Sequence, residues 1–392
     1  MKKIVLFILA GFAMSVTYAQ QLPNGDFSDW NTSCGKSYAM NSSKNESLQR
    51  PGVEPTSWSG SSIHQKVKVL VTVTKKEELI FNEDNAVKMV NKFVGAMGIG
   101  SVAPGFINLG TPWVYASSTL SECDGGVYGG IEFTHKPDAI TGRYKRTDST
   151  GEQSHIIVYL WNGTYSSKIG KQGNPSQETD NVERAIMGMT EPLEAGTLVA
   201  SCDYTFTTTG DDWETITVPI EYAEGVTEAP TMMNTIISGG DYWTRANMQE
   251  NTTLYADDVR FVYYSTLRTL SYDGVELPIA AAGDTLDMSS ETFDSEEAIA
   301  YTLNGQSASA EVSYDEASAV LEVVVSNVDN DIDNLSTHTY YVQFAKPADM
   351  HETLQYIPSE QGMRVIYDLY GRRVTNPTRG IYIINGKKCV IK

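Results

Sequence analysis

The residues best suited to recognition chemistry are flat rings set beside hydrogen-bonding side chains. Trp113-Val114-Tyr115, Trp161 with Tyr165, and Tyr242-Trp243 each lie in or next to a stretch rich in Gly, Asn or Ser. The axial C–H face of a sugar ring stacks on such an aromatic plane, and polar neighbours then read its hydroxyls. Asn162, Asp241 and Arg245 stand where they could do so. The expected ligand face is therefore Trp113, Tyr115, Trp161, Tyr165, Tyr242, Trp243 and Arg245. Ordinary packing competes for each ring taken singly, and Trp30 and Trp58, near strand starts beside Gly or Pro, read as core.

Carboxylates offer a second chemistry. In Tyr255-Ala256-Asp257-Asp258-Val259-Arg260-Phe261, strict alternation puts Asp257 on the face of Val259 and Phe261. An ionised carboxylate on a core face is costly unless paired. A structural calcium ion held by Asp257 together with Asp26 of the Asn24-Gly25-Asp26 turn would supply the partner. Backbone N–H groups at a strand edge would serve as well. Asp329-Asn330-Asp331-Ile332-Asp333-Asn334 starts like a calcium loop but lacks Gly at the sixth place and Glu at the twelfth, where Tyr340 stands. It reads as a solvated turn.

Several chemistries are excluded. No nucleophile elbow, zincin helix or phosphate-binding loop occurs, and the five histidines show no ligand spacing. Gly98-Ile99-Gly100-Ser101-Val102-Ala103 imitates a dinucleotide fingerprint, but Pro104-Gly105 blocks the helix such a loop must begin.

The elements that must position these residues are strands. Val67 to Val73, His155 to Trp161, Trp213 to Ile220, Thr231 to Ile237 and Leu254 to Tyr264 are β-branched and aromatic runs broken by turn residues. Ala86 to Met97 can be written as a helix, yet Val87, Met89 and Phe93 also fit a strand interrupted by Gly95. Sustained helical periodicity is otherwise scarce. The fold expected is all-β, a jelly-roll β-sandwich over 20–266 followed by a small immunoglobulin-like β-sandwich over 267–347. Tyr272-Asp273-Gly274 carries a tight hairpin signal within the second sandwich. Residues 348–392 form a linker and a short C-terminal β-unit built on Val365 to Leu369, Gly380 to Ile384 and Cys389 to Ile391.

Composition narrows the partners. The chain has 392 residues, 41% of them apolar and 20% charged, which is globular. With 29 Lys and Arg against 49 Asp and Glu, the net charge is −20, so phosphate backbones and anionic lipid heads are repelled. Nucleic acid is excluded on that ground. Residues 1–19 read as a signal peptide: basic Lys2-Lys3, an apolar run from Ile4 to Met14, and a small residue, Ala19, before Gln20. The mature protein is expected to be exported to the periplasm, cell surface or medium, with no transmembrane anchor. Cys34, Cys123, Cys202 and Cys389 are widely spaced, which argues against zinc. An oxidising destination permits disulfides in three connectivities, with a pair among Cys34, Cys123 and Cys202 favoured.

Three stretches carry a resemblance to a known family. Ala103-Pro104-Gly105-Phe106-Ile107-Asn108-Leu109-Gly110, Gly129-Gly130-Ile131-Glu132-Phe133-Thr134-His135-Lys136-Pro137-Asp138 and Gly142-Arg143-Tyr144-Lys145, bracketed by Asn24 to Trp30 and Leu254 to Phe261, resemble the carbohydrate metabolism domain family of exported bacterial proteins. Asp368-Leu369-Tyr370-Gly371-Arg372-Arg373-Val374 and Gly380-Ile381-Tyr382 resemble the sorting tails of such proteins. The resemblance implies a jelly roll followed by an immunoglobulin-like domain, and a link to binding or hydrolysing oligosaccharides or polysaccharides. It brings no agreed catalytic motif. Glycoside hydrolysis needs two carboxylates, one with a raised pKa. Glu132 and Asp138 lie in the most family-like stretch and are the first pair to test. Glycan binding through the aromatics leads, with glycoside hydrolysis and a structural or adhesion role as the alternatives.

Overall fold

A computed structural model describes residues 20–41, 45–68, 71–146, 151–163, 182–187, 196–210, 212–244, 247–327, 337–346, 366–384 and 387–391. The protein is an all-β sandwich. Among the described residues the only helices are Val182–Ile186 and the 3-10 turn Glu296–Ala298. None is long and apolar enough to cross a membrane. The chain divides into two compact units, Met1–Arg268 with Leu303–Ala310 and Val325–His338, and Thr269–Thr302 with Glu311–Val324 and Thr339–Lys392.

The first unit is built around a central sheet in the order Glu221–Tyr222, Thr197–Phe206, Ser154–Asn162, Met232–Ser238, Phe106–Asn108, Ser59–Gly60, with Ile131–Glu132 also paired to Met232–Ser238. A second sheet runs Glu214–Pro219, Ala139–Lys145, Thr253–Val262, Ala86–Val90, Ile80–Glu83. Ile156, Val158 and Leu160 of the central sheet join Ile140, Tyr144, Val87, Met89 and Leu254 of the second sheet in one apolar core. The alternate residues Ile157, Tyr159 and Trp161 join Phe106, Val127, Ile186, Ile236, Tyr242 and Trp243 in a separate core. The central sheet is therefore covered on both faces, which explains why His155 to Trp161 reads as an unbroken apolar run.

A third sheet, Cys123–Tyr128, Thr111–Ala116, Lys36–Asn41, Asn45–Gln49, contributes Val127 to the second core. Its middle pair, Thr111–Ala116 with Lys36–Asn41, is parallel. The unit also contains two hairpins, Ile63–Lys68 with Thr72–Glu77 and Lys92–Ala96 with Ile99–Ala103. The stretch from Ala86 to Met97 is thus two strands. The left-handed Met97 (φ 52°) and Gly98 (φ 77°) make the two-residue turn of the second hairpin.

Val320–Ser326 alternates half-buried and buried residues along its length, and Thr285–Met288 pairs in parallel with Thr337–Phe344. Tyr272, Phe293, Tyr314 and Phe344 form an aromatic cluster, with the Phe293 and Tyr314 rings stacked at 3.9 Å. Asp273 and Gly274 adopt the positive φ angles their hairpin requires. Ile366–Tyr367, Gly380–Ile384 and Lys387–Ile391 form a three-stranded sheet.

The disulfide expectation is corrected, since all four cysteines are free. Cys34 and Cys202 are buried, and burial pushes their thiols up to about 11 and about 12. Both behave as small hydrophobes.

At one end of the first unit a polar network lies wholly inside. Arg146 and Glu152 form an ion pair at 3.3 Å with neither side chain exposed. Arg146 also donates to the carbonyls of Glu152 and Thr207, at 2.5 and 2.7 Å. Glu152 accepts from the Asn91 amide at 2.7 Å and the Gln249 N–H at 3.3 Å, and Asn91 in turn accepts from the Gly105 N–H. Glu152→Gln would leave the Arg146 charge uncompensated, and is expected to cost about 3–5 kcal/mol in urea denaturation. The exposed Glu132→Gln should change stability by less than ~0.5 kcal/mol. Equal effects would contradict this assignment.

Candidate cleft between the third sheet and the hairpins

The described surface is indented by a cleft of about 930 Å³, counting its open mouth. The third sheet supplies one wall through Trp113, Tyr115 and Asp124. The hairpins supply the other through Ile63, Val67, Val73, Lys75, Val94 and Val102, and Phe106 and Tyr242 also line it. Strand register sets the first wall: Tyr115 lies opposite Asp124, and Trp113 opposite Gly126. A β-carbon at Gly126 would come within 2.9 Å of Trp113 Nε1 and 2.8 Å of Glu183 Oε1, so glycine is what lets the indole and the carboxylate approach. Glu183, buried on the short helix, accepts from the Tyr242 hydroxyl at 3.0 Å. The mouth adjoins a shallow basin lined by Tyr115, Asp124, Glu122, Ser121, Ser101 and Leu120.

Most polar groups in the cleft wall are already engaged. Ser61 Oγ donates to the Pro104 carbonyl and accepts from the Phe106 N–H, Ser62 Oγ accepts from the Leu79 N–H, and the Gln65 amide donates to the Met40 carbonyl. Two are different. Ser37 Oγ and Trp113 Nε1 are buried and have no hydrogen-bond partner among the described residues. Tyr144 Oη and Thr235 Oγ1, buried away from the cleft, are in the same state, so this feature is not peculiar to the cleft wall.

The structure brings together three of the seven residues expected to form the ligand face. Trp113, Tyr115 and Tyr242 line the cleft, with Tyr115 half-exposed and the other two nearly buried. Trp161 is a correction. It sits in the central sheet with no exposed surface, stacked on Tyr159 at 5.3 Å, because that sheet is covered on both sides. Trp243, 8% exposed, packs in the same core and donates from Nε1 to Asp203 Oδ2 at 2.7 Å. Asp203 also bonds His155 Nδ1 at 2.8 Å, while Asp241 accepts from the N–H groups of Trp243 and Thr244. These bonds hold the turn that presents Tyr242. Tyr165 and Arg245 lie outside the described residues, as do residues 1–19 and the Asp329 to Asn334 turn.

Neither carboxylate of the Glu132 and Asp138 pair lines the cleft. Glu132 is exposed opposite Met232. Asp138 is buried, and its two oxygens accept from the N–H groups of Tyr264 at 2.7 Å and Gln306 at 2.8 Å. Asp138 is thus occupied by backbone. Burial pushes its carboxyl above the ordinary range, against the opposing pull of those two bonds.

The Asp257 reading is also corrected. The Asn24-Gly25-Asp26 turn does meet this strand, since the Val259 N–H donates to the Gly25 carbonyl at 2.8 Å. The pairing with Ala139–Lys145 slips at this point, and Asp258 adopts φ 49°, forming a β-bulge. Leu254 and Ala256 face the core before the bulge, Val259 and Phe261 after it. Asp257 therefore lies with Tyr255 on the outward face, 3.8 Å from Arg143. Its carboxyl is raised chiefly by partial burial, with Asp258 and Asp26 adding repulsion. Asp26 is exposed and bonded to Ser28. Among the described residues no group of three or more His, Cys, Asp or Glu side chains could hold a metal ion.

Sequence reasoning missed Ser37, Lys75, Glu122, Asp124 and Glu183. The one local signal was Gly125-Gly126, facing the Trp113 strand.

No family model matches the chain, and no curated protein does. Among solved structures, the chain is similar to a candidate glycoside hydrolase from Bacteroides thetaiotaomicron, at 16% identity and a TM-score of 0.34, covering 49% of this chain and 60% of that one. It is also similar to a candidate glycoside hydrolase from Bacteroides vulgatus, at 13% identity and a TM-score of 0.34, covering 60% and 97%. A family 11 carbohydrate-binding module from Clostridium thermocellum, in complex with a β-1,3-1,4-mixed-linked tetrasaccharide, is similar at 8% identity and a TM-score of 0.23, covering 58% and 96%.

Asp138 yields a pH prediction. Its folded-state pKa is raised above the ordinary 3.8, so the native state keeps this proton when the unfolded chain has lost it. Wild-type stability relative to Asp138→Asn should therefore fall as pH rises from about 4 through the raised value, then level off. Urea denaturation at a series of pH values measures this. A difference that grows with pH would contradict it.

Proposed function

We propose that the chain is a carbohydrate-binding protein whose first unit holds a short stretch of saccharide in the cleft beside Tyr115. The observation that carries this reading is the pairing, in one wall of the cleft, of a half-exposed aromatic ring with the carboxylate of Asp124 on the neighbouring strand. A sugar offers what each of these takes. Its C–H face stacks on Tyr115, and its hydroxyls donate to Asp124. The basic and apolar start of the chain supports placement outside the cytoplasm.

Hydrolysis is a second reading with its own observation. Glu122 and Asp124 both line the basin at the cleft mouth, where a glycosidic bond would need two carboxylates.

A glycan array followed by calorimetry tests the binding reading. The wild type should bind at least one oligosaccharide, and Tyr115→Ala should weaken it about tenfold, or ~1.4 kcal/mol, without lowering the melting temperature. An empty array, or a Tyr115→Ala variant that binds like the wild type, would overturn the cleft as the site. Turnover of the bound oligosaccharide, lost in Asp124→Asn, would establish hydrolysis.

A further inference from the structure

The outward face of the second sheet carries a row of rings and cations that the cleft does not use. Register aligns Phe81 with Lys88, Lys88 with Tyr255, and Tyr255 with Lys145, one residue from each of four neighbouring strands. At a strand spacing of about 4.8 Å the row spans roughly 14 Å. In the next row Arg143 lies opposite Asp257 and Thr215. Trp213, just before the edge strand, closes the row, with its ring 6.2 Å from Tyr255 and the Arg143 guanidinium 5.3 Å from its centre. Lys92 stands over Phe81 at 5.0 Å and Lys88 over Tyr255 at 5.4 Å.

These rings are half-exposed, although their strand neighbours Ile80, Val87, Met89, Leu254 and Ile216 are buried in the core. The β-bulge at Asp258 adds Asp257 to this face. The charge here departs from that of the chain. In a protein of net charge −20 the face gathers Lys88, Lys92, Arg143 and Lys145. Glu83 pairs with Lys88 at 2.6 Å, and Asp257 and Asp258 lie 3.8 and 3.6 Å from Arg143. Lys92 and Lys145 have no carboxylate within ion-pair distance among the described residues. Glu214 faces the other way, since its neighbour Thr215 is the residue that shares this side.

Each ring already carries a cation over one face, so the free interactions here are the charges of Lys92 and Lys145. These suit the carboxylates of an acidic polysaccharide lying along the apolar edges of Trp213, Tyr255 and Phe81. We propose that this outward face is a second binding surface, specific for an acidic polysaccharide and separate from the cleft. The row runs across the strands, so the ligand lies perpendicular to them, passing Trp213, Tyr255 and Phe81 in turn.

Affinity electrophoresis and calorimetry of the full chain with polygalacturonate, beside a neutral β-glucan, test the proposal. Polygalacturonate should bind, and should bind more weakly as salt is raised. Trp213→Ala and Lys145→Glu should each weaken it about tenfold. Lys145→Glu changes only a surface charge, so it remains decisive if Trp213→Ala lowers the melting temperature. Tyr115→Ala should leave polygalacturonate binding unchanged, so that failure of the cleft reading and failure of this one stay distinguishable. Three results would overturn the proposal: no binding, equal binding of the neutral glucan without salt dependence, or binding indifferent to Lys145→Glu.

Discussion

Arg146 and Glu152 are removed from water entirely, a state in which each charge alone would cost several kcal/mol. Backbone carbonyls and N–H groups, together with the Asn91 side chain, bond to the pair and tie distant segments together. Asn91 follows the Ala86–Val90 strand, Gly105 precedes Phe106–Asn108, and Gln249 lies beyond the turn that carries Tyr242 and Trp243. Glu152 and Asn91 therefore fix where the central sheet, the second sheet and that turn meet. Tyr242 reaches the cleft from this fixed base, and its hydroxyl meets Glu183 from the opposite direction. A wall anchored at both ends keeps its shape while empty, which lowers the ordering cost of binding.

The layering explains which rings became surface and which became core. A run such as His155 to Trp161 announces a strand, but its unbroken apolar character fits a sheet covered on both faces as well as one at a ligand groove. Trp161 was legible as a strand residue and illegible as a buried one, because the cover comes from Val127, Ile186 and Tyr242, distant in sequence. Trp113 and Tyr115 could be placed beside a ligand because each stands near glycines and serines. What made Trp113 a cleft residue, the absence of a β-carbon at Gly126 opposite it, depends on a strand register that no local pattern encodes. The Asp273-Gly274 hairpin, whose signal is local, was read correctly.

Asp257 shows the same limit at the scale of one residue. Alternation is reliable only while the ladder is regular, and a single left-handed residue, Asp258, reverses the face of everything after it. The bulge has a visible cause. Gly25 passes so close to the strand that a β-carbon there would fall 1.9 Å from the Val259 carbonyl oxygen, and the strand bends where the turn crosses it. The consequence is an outward face with Asp257, Arg143 and Tyr255 on one side, where the sequence pattern placed Asp257 in the core. Asp138, chosen from sequence for its neighbours, turned out to spend both carboxylate oxygens on backbone.

The cleft wall that carries Tyr115 and Asp124, with Trp113 beside them, is where a saccharide is held. The most direct measurement is the indole N–H region of a two-dimensional NMR spectrum, followed as the tightest-binding oligosaccharide is added. The Trp113 indole resonance is expected to move, while that of Trp161, sealed in the central sheet, stays in place. A Trp113 resonance unchanged at saturation would contradict it.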